Sequence, residues 1–316
     1  MALTFSRWDY TSDLSPTAVL DLEDPCGIYV LEFADGSEYV GQAIDVRRRL
    51  ATHRRTHTDI VAVQFTPVRR QDLSDTEYAL IQDRQARGIA LRNKAMVSNF
   101  VGASLLDMVV DQQVQAEWLE ADPDVDDIVI GTRAEVAARR ARSRERFEEL
   151  QAHEHWPEII ECLAHYVGRV IPHPHQTEGR TWTVTALPST NRRPDHRRLA
   201  AVSINNVEVL VLMEDLADGA WEPGLFLNTA LEPAPPGDLT ALTRLQSYRS
   251  TGELRSWHLH GLIVPELLDE PKVLKAARAM AVGQLRKGST MFGRFHNDSL
   301  ADAIFVRIQE ELEAEG

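Results

Sequence analysis

The chain has only two cysteines in 316 residues, and Cys26 and Cys162 stand far apart. No disulfide framework and no cysteine-based zinc site is implied by such a pair. Long apolar runs are also missing: nothing approaches the roughly 20 residues that cross a bilayer, so no membrane partner is expected. The opening MALTFSRWDYTSDLS is too polar for a secretory signal core. A reducing, cytoplasmic location is the resulting expectation. Internal repeats and low-complexity segments are absent, which excludes repeat and fibrous architectures. Positive charge is scarce, with 34 Lys and Arg against 48 Asp and Glu and a formal net charge of −14. General adhesion to polyanions is thereby excluded, and any nucleic-acid contact must be local.

What is present suits about two domains of roughly 100–200 residues each. Residues 1–24 read as an irregular or partly helical lead-in. The stretch GIYVLEFADGSEYVGQAIDVRRRLATH, from Gly27 to His53, alternates apolar and polar residues and breaks at Asp35-Gly36. That is the pattern of a tight hairpin, since Asp-Gly accepts the positive φ angles such a turn needs. The predicted elements are strands over 27–33, 37–41 and 60–66, helices over 43–55 and 74–87, and a short helix after Asn93. Between Gly41 and Arg70 lie seven arginines (Arg47, Arg48, Arg49, Arg54, Arg55, Arg69 and Arg70) against only Asp45 and Asp59. In an acidic chain this is the local footprint that a nucleic-acid backbone requires.

Gly27-Ile28-Tyr29, followed after nine residues by Tyr39-Val40-Gly41, resembles the signature of the GIY-YIG nuclease family. Further matches follow in order: Arg49 eight residues after Gly41, His53 one helical turn beyond it, Glu77 on the next helix, and Asn93 after that helix. The resemblance covers about residues 25–105. It implies an α+β domain with a small three-stranded antiparallel sheet flanked by helices, and a metal-dependent endonuclease acting on nucleic acid, with DNA favoured over RNA. It also implies catalytic roles for Tyr29, Tyr39, Arg49, His53, Glu77 and Asn93, with Glu77 holding Mg2+ (Mn2+ as the alternative). Tyr29 or Tyr39 would activate water. Gly41, Arg47, Arg48, Arg54 and Arg55 would meet the nucleic-acid backbone. Gln42 stands where many members carry Lys. The chemistry suits these residue types, because Mg2+ needs few protein carboxylates and a guanidinium matches phosphate oxygens as a fork.

The acidic stretch Ala116–Asp127 reads as a linker around Pro123. Thr132 and Glu135 form a capping box for a long helix bearing Arg139, Arg140, Arg142, Arg144 and Arg146. Together these give a 106–155 connector and a C-terminal α+β domain over 156–316. That domain would carry an antiparallel sheet after Pro172 and helices from about Asp238 onward. It would control substrate or partner, or pair two copies as a homodimer. His173-Pro174-His175 and His258-Leu259-His260 are H-x-H pairs without a convincing carboxylate. Trp182, Trp221 and Trp257 read as core or rim aromatics, and Asn191–Arg198 (NRRPDHRR) as a basic loop. The alternative function is a non-cleaving nucleic-acid-binding or regulatory protein on the same fold.

Overall fold

The structure is a computed structural model. It describes residues 3–10, 19–20, 22–94, 96–97, 100, 104–120, 137–191, 193–248 and 250–315, with the side chains of 137–140, 142 and 315 excepted. It divides into two compact units, 1–102 and 103–316.

The first unit is an antiparallel sheet with a helix on each face. Its strands are β1 (Ser6–Asp9), β2 (Gly27–Phe33), β3 (Glu38–Ala43) and β4 (Ile60–Pro67), in the order β1-β4-β2-β3. Strand β2 is apolar at almost every position because both of its faces are covered. Tyr29, Leu31 and Phe33 pack with Val46 and Leu50 of α1 (Val46–His53). Ile28 and Val30 pack instead with Leu73, Leu80 and Ile81 of α2 (Leu73–Ala86). The hairpin turn forms where Asp35-Gly36 predicts it, with Gly36 at φ +79° and Asp35 accepting the Ser37 N–H at 2.9 Å.

Three expectations are corrected here. The sheet has four strands, because Ser6–Asp9 pairs antiparallel with β4 in the register Trp8↔Val63. Residues 1–24 are therefore not a detached lead-in, although 11–18 lie outside the described residues. Of the short helix expected directly after Asn93, Lys94, Met96, Val97 and Phe100 are described and none is helical, while 95, 98, 99 and 101–103 lie outside the described residues.

The second unit begins before the expected connector ends. Helix α3 (Gln112–Glu120) is fixed to it by the Trp118 indole N–H, which donates to Val170 O at 3.2 Å, and by Arg286 on Asp107 at 2.6 Å. Residues 106–120 therefore belong to this unit. The rest of the acidic stretch and the Thr132–Glu135 capping box lie outside the described residues. So do the side chains of Arg139, Arg140 and Arg142 on α4 (Ala137–Gln151).

Six antiparallel strands follow: β5 (Trp182–Ala186), β6 (His196–Ile204), β7 (Val207–Ala217), β8 (Ala220–Thr229), β9 (Thr243–Tyr248) and β10 (Gly252–His260), in the order β5-β6-β7-β8-β10-β9. Two of them lie where helices were expected after Asp238. One face is buried under α5 (Trp156–Val170), α6 (Pro271–Leu285) and α7 (Asp298–Glu315), and Trp182 and Trp257 lie in that core. The other face holds a concavity of about 830 Å³ lined by Arg198, Glu208, Phe226, Asn228, Tyr248 and His258, among others. No helix among the described residues is long and apolar enough to cross a membrane.

Candidate active site in the first unit

Tyr29 projects from β2 onto the face covered by α1. Its in-register partner on β3 is Gly41, while Tyr39 faces Leu31. The two tyrosines are thus diagonal neighbours across the hairpin rather than a facing pair. Gly41 makes the room they need, since a Cβ there would lie 2.4 Å from the Tyr29 hydroxyl. The Tyr29 ring leans across this gap, its centroid 6.2 Å from that of Tyr39.

Helix α1 supplies the next two groups. Asp45 caps it by accepting the Arg47 N–H at 3.0 Å, and Val46 and Leu50 anchor its apolar side. Arg49 and His53, four apart, then share another side. His53 Nε2 lies 2.9 Å from the Tyr29 hydroxyl, and its ring is 4.7 Å from that of Tyr39. Arg49 is exposed and acts electrostatically on both phenols.

Glu77 comes from α2, on the far side of the sheet. It is only 9% exposed and interacts electrostatically with both tyrosines. The Gln42 amide donates to its Oε2 at 2.8 Å. Strand β3 forms an edge of the sheet, and Glu77 from one face acts electrostatically on Tyr29 and Tyr39 on the other.

Asn93 is brought to that edge but does not join the cluster. Its Oδ1 accepts the Val40 N–H at 3.0 Å and its Nδ2 donates to the Val40 carbonyl at 2.7 Å. The side chain mimics a strand's peptide group and holds β3 between Tyr39 and Gly41. One step earlier, the Glu38 N–H donates to Ala90 O and the Arg92 N–H to Glu38 O. The Asn93 side-chain bonds thus go to Val40 and not to the tyrosines, His53 or Glu77, which gives it a positioning place beside the catalytic role expected for it.

Two contributors carry no family signal. Arg92 donates to Asp35 and Asp59 at 2.7 Å and lies 3.8 Å over the Phe33 ring, tying the edge segment to the hairpin. His57 sits 5.8 Å from His53, ring to ring, and its i+4 spacing from His53 was the available clue. Among the expected phosphate-binding arginines, Arg47 and Arg48 both lie near Asp45, at 3.4 and 3.7 Å. Arg54 and Arg55 are exposed just beyond the helix. Two arginines of the basic 191–198 segment turn inward: Arg198 onto Glu208 at 2.6 Å, and Arg197 onto Glu214. Arg192 lies outside the described residues.

Burial pushes the Tyr29 phenol well above its ordinary range, and neighbouring Tyr39 adds to the rise while Arg49 opposes it. Burial also raises Tyr39, again opposed by Arg49. Burial, then His57 and Arg49, pull His53 down to about 4. At neutral pH the pair is an uncharged imidazole against an uncharged phenol, and a hydrogen bond between such groups is a path along which a proton can move. A cation placed near the phenols would lower them.

Glu77 is a lone carboxylate here: among the described residues, neither group of three His, Cys, Asp or Glu side chains close enough to share an ion includes it. A lone carboxylate suits Mg2+, which keeps waters and takes its remaining ligands from phosphate, better than it suits a caged metal. The chain matches no protein-family model, and no curated protein or solved structure is significantly similar to it.

Proposed function

We propose that the first unit is a metal-dependent endonuclease that hydrolyses phosphodiester bonds, with DNA as the favoured substrate. One observation carries the reading: a single buried phenol, Tyr29, is hydrogen-bonded to His53 and interacts electrostatically with Tyr39, Arg49 and Glu77. A structural tyrosine needs no such company.

In this reading Glu77 holds Mg2+, or Mn2+ in its place, which supplies Lewis-acid polarisation of the phosphate. Arg49 presents its fork of donors to the phosphate oxygens. The Tyr29–His53 pair takes the proton from the attacking water, the phenol relaying it to the unprotonated imidazole. Exposed Arg48, Arg54 and Arg55 add salt-dependent attraction to the backbone. The second unit would supply affinity, selectivity or a pairing surface for two copies, and restriction, repair and defence are the settings such an enzyme suits.

A non-cleaving binder is the second reading. It is favoured by the Gln42 amide on Glu77 and by the raised phenols, both of which weigh against turnover. Nicking of supercoiled plasmid with and without Mg2+ decides between them. The native chain should nick only with Mg2+, and Glu77→Ala should remove the activity while leaving the circular-dichroism spectrum unchanged. Nicking by Glu77→Ala at the native rate would remove Glu77 from the centre.

A further inference from the structure

Strand β7 of the second unit carries one residue that does not suit its surroundings. Leu210, Leu212 and Glu214 alternate onto the helix-covered face, and Glu214 is 0% exposed there. Its two carboxylate oxygens are treated very differently. Oε2 accepts from Arg197 Nε, directly across the strand pair, and His153 Nε2 stands 3.5 Å away. Oε1 has no hydrogen-bond partner among the described residues, although a buried carboxylate oxygen left so is costly.

Oε1 looks toward the turn between α4 and α5, where the sequence is His153-Glu154-His155. The His155 N–H donates to His153 Nδ1 at 3.2 Å, which leaves Nε2 as the His153 nitrogen near Glu214 Oε2. His155 differs. Its Nε2 lies 4.0 Å from Glu214 Oε1, too far for a hydrogen bond and within reach of one ion about 2.0–2.2 Å from each. The Glu154 carboxylate completes the set, and the three ligand atoms lie within 4.8 Å of one another.

We infer that Glu154, His155 and Glu214 form a metal site in the second unit that binds one divalent transition ion, zinc by preference. One imidazole and two carboxylates suit zinc with water in the fourth position, whereas Mg2+ rarely takes a nitrogen ligand. Arg197 on Oε2 holds Glu214 so that its other oxygen is offered alone, as an outer shell does for a monodentate ligand. Glu154 is exposed, so the ion has a route from solvent. The other candidate group, Glu178, His296 and Asp298, has both nitrogens of its histidine engaged. There the Val184 N–H donates to His296 Nδ1, and the opposite nitrogen already meets Glu178 at 2.8 Å.

The site is independent of the nuclease reading and is tested without an activity assay. The full-length protein is stripped of metal, titrated with ZnCl2 by calorimetry, and its thermal unfolding is followed with and without zinc. One equivalent should bind and raise the unfolding temperature, because only the folded chain assembles the ligands. Excess Mg2+ should not displace it. Glu154→Gln and His155→Gln alter a turn outside the core and should fold normally but lose the binding, whereas Glu77→Gln should keep it. Failure of the native chain to bind zinc stoichiometrically would overturn the site. So would binding that survives both turn substitutions, or that is lost only with Glu77→Gln.

Discussion

Gly41 occupies the one β3 position where a side chain and the Tyr29 ring would compete for the same space. Gly41→Ala puts a methyl carbon 2.4 Å from the Tyr29 hydroxyl, so the ring or the strand must move. Overpacking of this kind costs about 1–3 kcal/mol, to be read from chemical denaturation. Nicking should fall at least as steeply as in Tyr29→Phe, since the Tyr29–His53 bond is displaced rather than deleted. His53 makes a prediction about pH. Its folded value is about 4 against an ordinary 6.5, so as pH falls the unfolded chain takes up the proton first. Stability is therefore fully present above about 6.5 and is lost progressively down to about 4. His57, lowered by burial and by Arg92, acts with the same sign. His53→Gln should flatten the decline, and the His53→Gln/His57→Gln pair should flatten it further, in urea titrations at neutral and mildly acidic pH. An unaltered slope in the double variant would mean that neither ring is held neutral by its surroundings.

At the level of elements, the segment after α2 works as a substitute strand. Asn93→Ala removes both Val40 bonds and leaves buried peptide groups unpaired, at a cost of about 1–3 kcal/mol. Faster amide exchange at Val40 should accompany the loss, and nicking should drop even though Asn93 touches none of the proposed reacting groups. The hairpin, both helices and β4 were legible from local pattern, the hairpin through its alternation and its Asp-Gly turn. Strand β1 was not legible: four residues give too short a pattern, and only the register with β4 makes them a strand. Strands β9 and β10 were missed in a region read as helical from about Asp238 onward. Their identity comes from pairing with β8. Tyr29, Arg49, His53 and Glu77 were legible in order, but their placement depends on Gly41 and on Asn93, whose part is tertiary. Arg92 had no sequence signal, because its role exists only once Asp35, Asp59 and Phe33 are assembled.

For the whole molecule, the two units imply a fragment experiment with a defined boundary. Residues 1–102 keep β1 on β4, whereas a fragment starting at residue 25 bares that edge of the sheet. Uncovered edges invite intermolecular pairing, so the shorter fragment should aggregate at concentrations where 1–102 remains monomeric by light scattering. The 1–102 fragment should also nick weakly and with little preference, because a single small module offers only about 600–1,000 Å² to a duplex. Full-length protein should be faster and show a steeper salt dependence on the same plasmid. Equal rates and equal salt slopes would assign residues 103–316 to something other than holding nucleic acid.

The bond between Val40 and Asn93 spans 53 positions of sequence, and that separation also measures time. A ribosome adding roughly 5–20 residues per second needs about 3–10 s to pass from one to the other. During that interval the hairpin has been made but the residue that locks its outer edge has not. On the nuclease reading, the cutting centre is fully held only after Asn93 emerges, and a chain that stops short of it should cut less well.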